Sequence, residues 1–165
     1  VSVTTLVLVL LAVAVTLLVA WAISTAKRLD RLHIRLDRSR DALQAALDRR
    51  CAVIAATVPE LAEQADATEE VRLSPRDLWS RLEKEHQLNE ALVGWMASAE
   101  GVTEGVRQAL KDADTRVMLA LRFYNDAVAD TRALRLVPAV RTLRLGGTAA
   151  LPEYAALGQL SLAGE

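Results

Sequence analysis

The first 26 residues, VSVTTLVLVLLAVAVTLLVAWAISTA, contain no charged side chain, and this feature constrains the fold more than any other. About 20 apolar residues in an α-helix cross a hydrocarbon layer of roughly 30 Å. In water the β-branched residues of this stretch would favour a strand. A lone segment in lipid must instead satisfy its own backbone N–H and C=O groups, and only a helix does so. Residues 1–26 are therefore expected to form a transmembrane helix, with Trp21 in the interfacial belt. The competing reading is a cleaved leader, because Ala20-Trp21-Ala22 has the small-x-small form of a cleavage site. The apolar run is longer than a leader requires, which favours the span.

Charge sets the expected orientation. From Lys27 to Arg50 there are eight Lys/Arg against four Asp, whereas residues 60–130 carry fifteen acids against eight bases. By the positive-inside rule the amino terminus faces outward and everything beyond residue 27 lies in the cytoplasm of a single-pass cell-membrane protein. Lys27, Arg28, Arg31 and Arg35 are close enough to the span to touch anionic headgroups, at about 1 kcal/mol per basic residue near the surface. Nucleic acid is not an expected partner: the net charge is −1, aspartates interrupt the basic run, and no aromatic residue accompanies it to stack bases. Cys51, the sole cysteine, can form no internal disulfide and fits a reducing compartment.

Beyond the span the pattern is helical. Leu29, Leu32, Leu36, Leu43, Leu47 and Ile54 recur at three-, four- and seven-residue steps, predicting a helix over about 27–58 that continues the membrane helix without a break. Pro59 ends or kinks it, and EQADATEEVR reads as a connection. A second helix, about 75–97, is predicted from Ser74-Pro75-Arg76-Asp77: Ser74 caps, Pro75 takes the first helical position and Asp77 completes a capping box. Its apolar stripe is Leu78, Trp79, Leu82, Leu92, Trp95 and Met96. The turn SAEG leads to a third helix, about 103–136, with Val106, Leu110, Ala113, Val117, Leu121, Tyr124 and Val128 on one face. Pro138 stops that run, and Gly146-Gly147 and Pro152 break the tail into short pieces. The expected architecture is all-α: a transmembrane helix (1–26), an antiparallel up-down-up bundle of three long helices (27–138) and a carboxyl-terminal tail (139–165).

Candidate chemistry is sparse. Glu83 to His86 spells the Glu-x-x-His half of a di-iron motif, but a second copy and inward glutamates on the third helix are missing, so a solvated charged face explains it better. His33 reads as surface. Cys51 has no triad pattern around it and reads as a small buried hydrophobe. Gly146-Gly147 follows no strand and opens no helix, which excludes a phosphate loop. No catalytic residue, cofactor, metal or small-molecule substrate is expected.

The most distinctive block is RFYNDAV, residues 122–128. Tyr124 falls on the apolar stripe, Asn125 and Asp126 flank it, and Arg122 and Asp126 stand four apart and can pair across a turn. This block resembles the Arg-x-Tyr-Asn-Asp-Ala-Val signature of the LemA family, bacterial proteins with one amino-terminal transmembrane helix and an all-helical body. LDRRCAVIAATV, HQLNEALVGWM, VPAV and LPEY resemble further family blocks in the same order, across most of residues 1–155. Two departures stand out: the segment 59–74 is shorter than the family's connection, and Cys51 stands where the family often has an aromatic. The resemblance implies a helical fold and membrane location, and no established enzymatic activity. Arg122, Tyr124, Asn125 and Asp126 are the candidate interaction residues. The expected function is a membrane-anchored, non-enzymatic scaffold that meets a protein partner. The alternatives are a stress or signalling adaptor relaying state through the first helix, or an accessory subunit of a membrane enzyme.

Overall fold

The computed structural model describes residues 2–157, so the last eight residues of the expected tail and the first residue of the expected span lie outside the described residues. Among the described residues all regular structure is helical. Helix α1 runs from Val3 to Thr57 as one 55-residue rod, about 80 Å at the standard rise. Ser2 caps it by accepting from the Thr5 amide at 3.4 Å. No described residue before Leu29 is buried, whereas Leu29, Leu36, Leu43, Leu47 and Ile54 all are. Their spacing of seven or four residues keeps one face inward over the second half. The amino-terminal part of α1 is long and apolar enough to cross a membrane and makes no core of its own.

The segment expected to be a plain connection contains structure. Pro59–Leu61 forms a short 3-10 turn, with Pro59 in the first position where its missing amide costs nothing. Helix α2 follows, Ala62–Glu69. Its polar composition hides a narrow inward face: Ala65 and Thr68 are buried, and Ala65 packs with Cys51, Ile54 and Val58. A face this narrow leaves little trace in apolar periodicity.

The second long helix, α3, spans Trp79–Ser98 rather than starting at Pro75. Ser74 and Asp77 exchange two backbone hydrogen bonds of 3.2 Å, which close a tight turn over Pro75 and Arg76. The capping role passes to Asp77, whose carboxylate accepts from the Ser80 amide at 3.0 Å and the Ser80 hydroxyl at 2.6 Å. Those bonds hold the Asp77 carboxyl below the usual range. The displaced start also turns Trp79 outward, 71% exposed, against its expected place in the stripe. Gly101, at φ 79°, makes the turn into helix α4, Glu104–Arg135, which Thr103 caps through the Val106 amide. Pro138 does not only stop α4; it opens a one-turn helix α5, Pro138–Thr142.

Cross-helix pairs give the directions. Arg35 meets Asp130 and Arg50 meets Asp114, so α4 runs opposite to α1. Asp48 meets Arg81 and Cys51 meets Glu85, so α3 runs the same way as α1. The expected alternation of the three long helices therefore does not hold. Residues 58–78 carry the chain back along α1 before α3 begins, so α3 repeats the direction of α1.

Two core clusters lie along this assembly. The one nearer the apolar stretch joins Leu36, Leu43 and Leu47 of α1 to Leu78 just before α3, Leu82 of α3, and Val117, Leu121, Tyr124 and Val128 of α4. The distal one joins Cys51, Ile54 and Val58 to Leu88, Leu92 and Leu110. Fully burying a Leu or Ile contributes about 1.5–3 kcal/mol, so these stripes supply the main driving force for the body.

Candidate functional site

Between the two clusters sits a knot of buried charge that the periodic reading missed. Arg50 and Arg81 are both 0% exposed, Glu85 and Asp114 both 1%. The Arg50 guanidinium donates to Asp114 Oδ1 at 2.6 Å, to Glu85 Oε2 at 3.2 Å and to Asn89 Oδ1 at 2.9 Å. Arg81 donates to Glu85 Oε1 at 3.0 Å and to the carbonyls of Glu69 and Val71 at 3.2 and 2.7 Å, and is ion-paired to Asp48 Oδ1 at 3.0 Å. Gln44 extends the web: it donates to Asp48 at 2.6 Å and accepts from the Leu73 amide at 2.6 Å. Two guanidiniums face two fully buried carboxylates, with Asp48 at the rim, so the interior is near neutrality. Four segments meet there: α1, the end of α2 with residues 70–71, α3 and α4.

Such pairing is weak evidence for stability, because desolvation offsets most of the attraction between buried ions. Its consequence is register. Arg50 of α1 meets Glu85 of α3 and Asp114 of α4 together only when the three helices stand at this height relative to one another. Glu83 and His86 face solvent, as expected of a charged face, but Glu85 between them does not. The third helix does carry one buried acid that periodicity did not single out, Asp114, although it offers no inward glutamate among the described residues. A signal was available: Arg50, Arg81, Glu85 and Asp114 each stand three or four residues from a stripe leucine, isoleucine or valine, in place of an apolar residue.

Cys51 lies beside this knot. Its Sγ is 3.5 Å from Glu85 Oε1 and 3.7 Å from an Arg81 nitrogen. Burial and the neighbouring Glu85 carboxylate push the thiol up to about 12. It is therefore a protonated donor at neutral pH and a poor nucleophile. No grouping of three potential metal ligands exists among the described residues.

The RFYNDAV block resolves into two pairs with different roles. Tyr124 is buried, 2% exposed, and its hydroxyl donates to the Glu153 carbonyl at 3.0 Å. Burial raises its pKa above the ordinary tyrosine value. Asn125 donates to the Ala155 carbonyl at 2.8 Å and accepts from the Ala155 amide at 3.0 Å, so one side-chain amide imitates a strand neighbour for the tail. Arg132 donates to the Pro152 carbonyl at 2.8 Å and lies 5.6 Å from the Tyr154 ring centre, and Arg135 donates to the carbonyls of Ala149 and Ala150. Tyr124 and Asn125 thus clasp the tail. Arg122 and Asp126 are exposed and form no ion pair with each other among the described residues. The expected pairing across the turn is absent, and Asn125 is not a mere flanking group.

The clasped tail roofs a cleft of about 570 Å³ between α1, the Pro75–Arg76 turn and α4. His33, Arg40, Arg76 and Arg135 line it with Asp37, Tyr124 and Glu153. Arg40 is ion-paired to Asp37 at 2.7 Å while its Nε is buried without a partner; Arg76 and Arg135 have no carboxylate partner among the described residues. The cleft has the charge to receive a small anionic group. Lys27, Arg28, Arg31 and Arg35 are all exposed on α1 just beyond the apolar stretch, and Arg35 pairs with Asp130 at 2.7 Å. That pair is open to solvent and contributes about 0–1 kcal/mol. Comparison of the chain with known protein families, curated proteins and solved structures returns no significant match.

Proposed function

We propose that the protein is a membrane-anchored, non-enzymatic scaffold of the LemA type, whose helical bundle stands in the cytoplasm and meets a protein partner. The observation that carries this reading is the single helix α1: its first part is apolar and packs on nothing, and its second part is the spine of a body with its own core. Such a rod fixes the body at the membrane without a flexible linker. The exposed pair Arg122 and Asp126, next to the clasped Tyr124 and Asn125, offers a polar surface free for a partner.

Carboxyl-terminal fusions test the placement: a fluorescent-protein fusion should glow and an alkaline phosphatase fusion stay inactive, and the reverse pattern overturns it. Photo-crosslinkers at Arg122 and Asp126 in living cells test the partner. A discrete adduct at these positions is expected. Its absence there and at the neighbouring exposed Leu119 and Phe123 overturns the interaction reading.

The continuity of α1 also favours a second reading, an adaptor that relays state between membrane and body. A helix without a break transmits rotation or tilt of its membrane part directly to the knot at Arg50. Insertion of two glycines at the membrane exit should then uncouple signalling while leaving membrane insertion intact.

A further inference from the structure

The chain just after α4, distant in sequence from the anchor, returns to it in space at Val137. Because α4 runs opposite to α1, its carboxyl end comes back toward the membrane exit. A groove there is lined by Arg28, Leu32 and Arg35 of α1 together with Asp130, Leu134 and Val137. Arg28 and Leu32 lie two and six residues beyond Ala26, about 3 and 9 Å along a helix. A headgroup layer extends roughly 5–7 Å beyond each side of the hydrocarbon core. Helix α5 and the residues around it thus stand at headgroup height if α1 spans the bilayer.

Their composition fits that layer. Leu136, Val137 and Leu143 are 51%, 39% and 47% exposed, while Val140 faces inward at 2%. Between them Arg141 and Arg144 are exposed. From residue 131 to 152 the chain has four arginines and no Asp or Glu. Exposed apolar side chains alternating with arginines, without an acid among them, suit the boundary between acyl chains and anionic headgroups. In water the same surface would leave three large apolar side chains uncovered at one end of the body.

We infer that residues 136–144 form a second membrane contact, in which Leu136, Val137 and Leu143 enter the interface and Arg141 and Arg144 meet anionic headgroups. This rests on α1 being the span and deepens that reading: the body is seated on the bilayer at two points, and its tilt about α1 is restricted. The partner is the lipid surface itself, named by continuity with the span and by charge complementarity.

The test uses the full chain in phosphatidylcholine vesicles, with and without phosphatidylglycerol, carrying one fluorophore on an introduced cysteine and doxyl lipids as quenchers. Buried Cys51 does not compete for the label. Positions are Leu143→Cys, with Ala139→Cys as a second exposed site; Leu17→Cys inside the apolar stretch; and Thr115→Cys on the distal body. Thr115 adjoins Asp114, which pairs with Arg50, 24 residues beyond Ala26 or about 36 Å along the helix. Expected is strong quenching at Leu17→Cys, several-fold more quenching by shallow doxyl lipids at Leu143→Cys than at Thr115→Cys, and an increase with phosphatidylglycerol that Arg141→Gln with Arg144→Gln removes. Quenching at Leu143→Cys and Ala139→Cys no greater than at Thr115→Cys, with Leu17→Cys quenched, overturns the second contact and leaves the span standing. Failure to quench Leu17→Cys overturns the span and the second contact together.

Discussion

The body holds its parts together with two polar devices, and they differ in what they fasten. The knot of Arg50, Arg81, Glu85 and Asp114 is sealed from water and joins three long helices. The clasp of Tyr124, Asn125, Arg132 and Arg135 is half open and fastens one extended tail to one helix through its backbone carbonyls. The knot relies on charge in a place where charge is costly, so each member is needed by the others. The clasp relies mostly on groups that water can also satisfy. Loss of a knot member should therefore be global, and loss of a clasp member local.

The largest effect expected is from Asp114→Ala. It leaves the Arg50 guanidinium buried with one carboxylate fewer, at about 3–5 kcal/mol, measurable as a shifted denaturation midpoint of the full chain in detergent. Replacing Arg50, Asp114 and Glu85 together by apolar residues of similar volume should cost much less. If Asp114→Ala proves as mild as a surface change, the knot is wet and the contrast collapses.

Tyr124→Ala comes next, at about 3 kcal/mol or more for a truncated buried aromatic. Tyr124→Phe keeps the ring and loses only the bond to Glu153, about 1 kcal/mol. Equal losses for the two variants would mean that the hydroxyl, not the ring, holds this position.

Alkaline pH separates the regions by titration. Cys51 beside the knot is raised from 9.0 to about 12 and Tyr124 in the clasp is raised from 10.0. In both cases the fold favours the neutral form. Their contribution is fully present below the unfolded values and is lost as pH rises through the folded ones. Denaturation midpoints should fall progressively above pH 9, and Cys51→Ala should flatten the first part of that fall. A profile unchanged by that substitution would place the sensitivity elsewhere.

Asn125→Ala should cost about 1 kcal/mol globally yet free the tail, so that limited proteolysis cuts after residue 145 while the helical body persists. The smallest changes are Arg122→Ala and Asp126→Ala, within about 0.5 kcal/mol. A large loss at either would show that the exposed half of the block is structural too, and would remove the basis for using it as a partner surface.

Much of this was legible in the residues. The stripes of α1 and α4 mark their buried faces almost residue by residue, because a helix of fixed pitch repeats its inward side every three or four positions. Tyr124 could be placed inward on the same ground. The clasp could not: Asn125 finds Ala155 across 30 residues of chain, and no local pattern encodes that meeting. The start of α3 was misread because Ser74 and Asp77 both suit a cap, and only the closing of their mutual turn decides between them.

By itself the sequence determined the all-helical character, the charge-free stretch that packs on nothing and the faces that turn inward. These depend on each residue's own preference for water, lipid or core, summed over neighbours along one helix. Only the tertiary structure decided that α3 runs with α1, that opposite charges meet at the centre and that Val137 comes back to the groove lined by Arg28. Those outcomes depend on the return path through residues 58–78 and on distances between segments far apart in the chain, and a side chain's periodicity carries no information about which remote partner will reach it.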